Sequence, residues 1–416
     1  LSTRYALRHA VALALSTAAL AACAQQNAQQ GGNAQPSARP AAGGAYSPAI
    51  TEADLRRRLF IFADDSMEGR MTGTPGHDRA LAYIVGELTR LGITPRGEDG
   101  YFQRVPIVRR VPGADTARRD TVWSRNIIAV IEGSDPTLRA EFVAVGAHSD
   151  HVGIARRAVD HDSARAFNRA AWEATGRDAN SRGPSAEQRA AIRVNVDSLR
   201  ALRAPRLDSI NNGADDDGSG SMALLEIAEA FATGRSKLRR SILLVWHTAE
   251  ELGLNGSAWF MDHPTVDRDR IVAQINIDMI GRGSAQDVAG GGDDYLTVLG
   301  PKRLSSQLDQ WVRDVNATQR RPFQLDYQFD ADGHPQQFYC RSDHYHYARY
   351  GVPIAFFFTN IHEDYHQVTD EPQYIAYPKY TRVTQYLFDL AAFIANQPQG
   401  PVVDQPKPDP QGRCRQ

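Results

Sequence analysis

Ser241-Ile242-Leu243-Leu244-Val245-Trp246-His247-Thr248-Ala249-Glu250-Glu251 is the stretch from which the fold can be read. Ile242 to Trp246 is an unbroken apolar run, short and rich in strand-forming residues, as a strand covered on both faces requires. Directly after it come a histidine and two adjacent carboxylates. Neighbouring carboxylates at the end of a buried strand repel each other and lose hydration, so a cation belongs beside them. In open α/β sheets that is where ligands bind, beyond the carboxyl ends of the strands.

Working outward, Ile271 to Ile280 is a second apolar run, and Phe102–Val108, Asn126–Ile131, Glu141–Ala147, Tyr295–Gly300 and Pro353–Phe358 read as further strands. Between them lie helical patterns. Thr51 with Asp54 forms an N-cap pair opening a helix to about Ala63. Others run over Asp78–Leu91, Met222–Ala232, Ser305–Val315 and about Lys379–Ala395. This alternation predicts an α/β three-layer sandwich with a central mixed, mostly parallel twisted sheet, as one domain over residues 51–397. Residues 155–209 break the rhythm with 11 arginines against 7 acids and few large apolar side chains. They read as a partly helical insertion, either a flap near the site or a passive surface excursion.

The chain has 416 residues, 42% of them hydrophobic, enough for a full core. A formal net charge of −2 and a pI near 6.7 argue against a nucleic-acid partner. Cys23, Cys340 and Cys414 are the whole thiol complement. A disulfide framework and a thiolate zinc site are therefore not expected, and any metal must be held by histidine and carboxylate. Near the beginning, Arg4 and Arg8 precede an apolar stretch, Val11–Ala22, too short to span a bilayer. Leu20-Ala21-Ala22-Cys23 resembles the lipobox of bacterial lipoproteins. It implies a signal peptide over 1–22, a lipidated Cys23 anchoring the protein to the membrane, and a place in the cell envelope. In a Gram-negative cell this would be the periplasmic side of the outer membrane. Residues 23–50 read as a flexible tether and 398–416 as a disordered tail, both by composition.

Five clusters place acids or histidines beyond strands: His148-Ser149-Asp150, Asp215-Asp216-Asp217, Glu250-Glu251, Asp278, and a segment holding His344, His346, His362 and His366. Singly, each has an ordinary explanation in core hydrogen bonding, a helix dipole or a salt bridge. The acid triplet lacks the ligand alternation and closing glutamate of a calcium loop. The spacing alone does not choose among the four histidines.

Together, the order His, Asp, Glu-Glu, Asp, His resembles metallopeptidase family 28, the co-catalytic dizinc aminopeptidases, over roughly residues 51–395. Met67-Glu68-Gly69-Arg70-Met71-Thr72-Gly73-Thr74-Pro75-Gly76 is similar to that family's early glycine-rich signature. The resemblance implies two zinc ions per chain. His148 and Asp278 would bind one, Glu251 and His366 the other, and Asp216 both. Glu250 would be the general base toward a water bridging the metals, and Asp150 would orient His148. It further implies an exopeptidase removing N-terminal residues from peptides. The alternatives are a carboxypeptidase or dipeptidase of the same fold, a glutaminyl-cyclase-like mononuclear enzyme, and a non-catalytic peptide-binding lipoprotein. The gap from His148 to Asp216 is longer than in many relatives, which coincides with the insertion.

Overall fold

The computed structural model describes residues 46–110, 119–178, 180, 183–234 and 238–416. The expected signal peptide, Cys23 and nearly all of the tether lie outside the described residues.

Every residue of Ser241–His247 is buried, and alternate side chains serve opposite faces of the sheet. Ile242, Leu244 and Trp246 join Val143, Val145, Ile275 and Ile277 on one side, while Leu243 and Val245 join Ala144 and Ile128 on the other. That period of two makes the sheet the middle layer of a sandwich. The strands are β1 (Thr94–Pro95), β2 (Phe102–Arg110), β3 (Arg119–Ile131), β4 (Phe142–His148), β5 (Gly153–Asp160), β6 (Leu207–Asn211), β7 (Ser241–His247), β8 (Ile271–Ile277), β9 (Tyr295–Leu299), β10 (Gln324–Asp326) and β11 (Ile354–Phe358). The main sheet runs β1-β3-β7-β4-β8-β11-β9-β10, with β2 also paired to β3. Its centre, β7-β4-β8-β11, is parallel. Antiparallel pairs β3·β7 and β9·β11 bound it on either flank.

Helices α1 (Glu52–Phe62), α2 (Pro75–Arg90), α4 (Gly220–Ala232), α6 (Ser306–Thr318) and α8 (Tyr377–Asn396) cover the Trp246 face. The opposite face packs under α5 (Asn255–Asp262) and α7 (His344–Ala348). Local chemistry sets the starts of the first two: Thr51 accepts from the Asp54 amide, and Thr74 caps a helix with proline in its first turn. The insertion proves to be a β5–β6 ribbon enclosing α3 (His161–Ala174) and two one-turn helices, Ala186–Ala191 and Asp197–Leu202.

Two expectations are corrected. The apolar run expected to extend to Ile280 ends as a regular strand at Ile277, although Met279 O still accepts from the Thr359 amide at 2.8 Å. Met279, Ile280 and Gly281 instead donate their amides to the side chains of Asp217, Ser219 and Asp215, at 3.2, 2.9 and 2.6 Å. Residues 398–416, expected to be disordered, follow the surface of the sandwich. Cys414 is disulfide-bonded to Cys340, Pro410 O accepts from Arg349 at 3.0 Å, and Gln416 accepts from the Tyr339 amide at 3.0 Å. Composition hid this because the segment is fastened by polar groups and one covalent bond rather than by apolar burial.

His344 shows how tightly this layer is packed. It is fully buried, its ring stacked on Phe356 at 4.6 Å, and burial pushes its pKa down to about 3. The unfolded chain binds this proton below pH 6.5 and the folded chain does not, so acid destabilises the fold. Relative to a His344→Phe variant, the wild-type protein is expected to lose about 2 kcal/mol of stability between pH 7 and pH 5. Urea unfolding of both proteins at the two pH values measures the difference.

Candidate active site

The parallel centre of the sheet aims its carboxyl ends at one place. His148 closes β4, Asp278 follows β8, and Glu250 and Glu251 follow β7. Asp216 comes from the turn between β6 and α4, and His366 from the loop after β11. All of these but Glu250 meet around the Asp216 carboxylate. Asp216 Oδ1 lies 3.2 Å from His148 Nε2, and its Oδ2 lies 3.0 Å from His366 Nε2. His148 Nε2 is 3.6 Å from Asp278 Oδ1, and His366 Nε2 is 3.0 Å from Glu251 Oε2. His366 Nε2 is buried and has no hydrogen-bond partner, although two carboxylate oxygens crowd it.

The acid triplet divides by what its neighbours donate. Asp217 accepts amides from His148, Gly220 and Met279, and Asp215 accepts from Ser219 and Gly281. His362 Nε2 also stands 3.2 Å from Asp215. Both flanking acids are thus consumed by structure. Asp370 accepts the amides of Asp215 and Asp216 at 3.0 and 3.1 Å, which turns the Asp216 side chain outward to the histidines. The Asp216–Asp217 peptide bond is cis.

Glu250 stands apart from this pairing. Its carboxylate has no hydrogen-bond or ion-pair partner among the described residues, and it lines a cavity with Asp216, Asp278, Tyr365 and an apolar wall. That wall is made by Met279, Phe338, Phe356, Phe358 and Ile361. Burial, with Asp278, Asp343 and Glu251 nearby, holds the Glu250 carboxyl well above the usual range, against the pull of His148. Burial works to lower the His148 pKa, but Asp278 and Glu250 outweigh it and hold the ring well above its ordinary value. His366 follows the same pattern: burial opposes protonation, yet Asp216 and Glu251 bring it up to about 10. Three or more carboxylates facing two imidazoles form the oxygen and nitrogen donor set of a metal centre. Among the described residues, His151, Asp216, Glu251 and His366 bring ligand atoms within 4.8 Å of one another, as do His148, Asp217 and Asp278.

Asp150 is placed differently from the expectation. The closest partner of His148 Nδ1 is the Asp150 main-chain oxygen at 3.1 Å, with the carboxylate at 3.8 Å. The carboxylate itself accepts from Thr72 at 2.9 Å and from the Glu250 amide at 3.1 Å, so it fixes the start of the Glu250 turn. Asp278 is oriented through a chain of amides and a hydroxyl. Gln274 donates to Asn276 (3.1 Å), Asn276 to Ser342 (2.9 Å), and Ser342 to Asp278 Oδ2 (2.7 Å).

Three contributors escaped the sequence reading. His151 Nδ1 lies 2.7 Å from Glu251 Oε1 and 3.8 Å from Asp216 Oδ2. Arg70 is fully buried, and its guanidinium donates to the main-chain oxygens of Phe62, Ser149, Asn212 and Gly213, tying the glycine-rich segment to both ligand loops. Tyr365 stacks on His366 with ring centroids 3.9 Å apart. The available signals were weak: His151 sits three positions past His148, and Arg70 lies within the glycine-rich motif.

An acid–histidine cluster beyond the parallel strands of a sandwich thus supplies the donors of a metal centre. The chain belongs to peptidase family M28, whose profile matches residues 126–391. Over 83 residues it is 37% identical to leupeptin-inactivating enzyme 1 of Streptomyces exfoliatus, covering 19% of each protein. Over 150 residues it is 29% identical to leucine aminopeptidase 2 of Trichophyton equinum, covering 35% of this chain and 28% of that one. The matches therefore span less than a third of those relatives. Among solved structures, the fold superposes on the LapA aminopeptidase of Legionella pneumophila with a TM-score of 0.53 at 16% identity, over 84% of this chain and 73% of the other. A Zn-dependent exopeptidase from Parabacteroides distasonis gives 0.51 at 16% identity, over 85% and 100%. Porphyromonas gingivalis glutaminyl cyclase gives 0.52 at 17% identity, over 82% and 97%. These likenesses show the fold.

The hydroxyl on Asp278 yields a direct test. Ser342→Ala removes the donor that orients this carboxylate, and loss of such a partner typically weakens metal binding about 10–100-fold. Chelator competition on the purified variant is expected to show a drop in that range with an unchanged circular-dichroism spectrum.

Proposed function

We propose that this protein is a zinc-dependent aminopeptidase that removes N-terminal residues from peptides, using two zinc ions. One observation carries the reading: the Asp216 carboxylate is shared between two histidine–carboxylate sets, while the partnerless Glu250 faces the same cavity. His148, Asp216 and Asp278 would hold one ion, and Asp216, Glu251 and His366 the other, with His151 steadying Glu251. When bound, the two ions supply Lewis-acid polarisation of the scissile carbonyl and lower the pKa of the attacking water. The remaining steps belong to the chain. Glu250, poised high by burial, accepts the proton of that water and returns it to the leaving amine. The Tyr365 phenol lines the same cavity, is protonated at neutral pH as phenols ordinarily are, and can donate to the developing oxyanion. Tyr345 donates its hydroxyl to Gly412 O at 3.3 Å and does not line this cavity. The apolar wall around Phe338, Phe356 and Phe358 suits an apolar side chain on the N-terminal residue. Family membership and the leucine aminopeptidases among its relatives support the reading.

Glu250→Gln is expected to keep both zinc ions while hydrolysis falls about 10²–10⁴-fold, the usual worth of a general base. Elemental analysis and a chromogenic amino-acid amide assay read the two quantities. Peptides with a free N-terminus should be cleaved and their N-acetylated counterparts spared; equal rates on both would overturn the aminopeptidase assignment.

We further propose that Cys23 carries a lipid and holds the enzyme at the cell envelope. The support is the Leu20-Ala21-Ala22-Cys23 sequence, joined by the Cys340–Cys414 disulfide, a bond that persists in oxidising compartments. A Cys23→Ser variant is expected to move from the membrane fraction to the soluble fraction on ultracentrifugation.

A further inference from the structure

His366 is the ligand candidate least supported by the sheet. Its side chain is 34% exposed, against 1% for His148, and it sits in a loop rather than at a strand end. Something outside the sheet must hold that loop, and the insertion is in place to do so. His161, Arg165, Asn168 and Trp172 fall at i, i+4, i+7 and i+11 of helix α3, which is one helix face.

That face meets the loop on both sides of His366. Arg165 pairs with Asp364, lies 3.8 Å from Glu363, and stacks its guanidinium 3.5 Å over the Tyr374 ring. His161 stacks on the same tyrosine at 6.1 Å. Asn168 Nδ2 donates to Thr369 Oγ1 at 3.3 Å, and Trp172 Nε1 donates to Asp287 O. Charge makes Arg165 the decisive contact. Glu363, Asp364 and Asp287 are buried together, and among the described residues Arg282 is the one cation within ion-pair distance of all three, at 3.5, 3.0 and 2.6 Å. Without Arg165, the three buried carboxylates would share this guanidinium and the His362 ring, which already faces Asp215, and the shortfall of positive charge would be relieved by moving the loop toward water.

We propose that the insertion is part of the catalytic frame: helix α3 fixes the loop bearing His366, and Arg165 is the positioning residue. This deepens the two-zinc reading and rests on it. Arg165 touches neither substrate nor the reacting atoms. It acts by keeping His366 Nε2 beside Asp216 and Glu251.

The test is stepwise zinc affinity by chelator competition on the full chain, for wild type, Arg165→Met, Arg165→Lys and Asn168→Ala. Apo-protein thermal stability and steady-state kinetics accompany it. Arg165→Met is expected to weaken one of the two zinc ions by about tenfold or more and leave the other unchanged. kcat should fall with it and KM change little. Arg165→Lys, which keeps the charge, should recover part of the loss, and Asn168→Ala should shift the same ion by a smaller factor. Two unchanged affinities in Arg165→Met would overturn the proposal and leave the two-zinc reading standing. Equal weakening of both ions with a lower apo-protein Tm would overturn it too, since that is a merely structural role. A wild-type protein that never binds a second zinc overturns the reading beneath it.

Discussion

Like-charge crowding at the carboxyl ends of β4, β7 and β8 is the constraint around which this molecule is arranged. Asp150, Asp215, Asp216, Asp217, Glu250, Glu251, Asp278, Asp343 and Asp370 share one region of the interior, where each ionised carboxylate must find a proton donor or a cation. The fold sorts them by partner. Asp150, Asp215, Asp217 and Asp370 are given main-chain amides, and in accepting them they shape the turns that end the strands. Asp216, Glu251 and Asp278 are left facing imidazoles instead. The same repulsion that would destabilise an ordinary core thus fixes loop geometry on one side and creates a demand for cations on the other.

Much of this was legible because it depends on strand ends. A buried apolar run that stops at a polar residue marks a sheet terminus, which is why His148, Asp278 and the Glu250–Glu251 pair stand out in sequence. The triplet was ambiguous, since three consecutive aspartates look alike until the amides of Gly220, Met279 and Gly281 have been allotted. The four late histidines were equally ambiguous. His344 is a core ring stacked on Phe356, His346 packs against the Tyr345 ring, and His362 lies against Asp215, leaving His366 at the cluster. Such distinctions depend on tertiary packing, for which one sequence carries no local signal.

Two parts were not legible for a different reason. Arg70 does its organising through main-chain oxygens, and a side chain that binds backbone leaves no complementary residue type to notice. The arginine-rich composition of the insertion leaves a flap near the site and a passive surface excursion equally open. Arg165 is spent on buried acids of another loop, and Arg200 and Arg203 on Asp160 and Asp162 within the insertion itself. Counting charges says how many ion pairs are possible and nothing about which element supplies the partner.

Phe338 and Arg341 line the cavity on either side of Cys340, whose disulfide partner lies 74 residues downstream. The loop closed by this bond contains β11 and the segment bearing His366, so the last stretch of the chain is tied covalently to the wall beside the cavity. A cross-link over 74 residues limits the excursions of both ends, so the wall is restrained by a covalent bond while the acid–histidine cluster is shaped by main-chain amides and ion pairs.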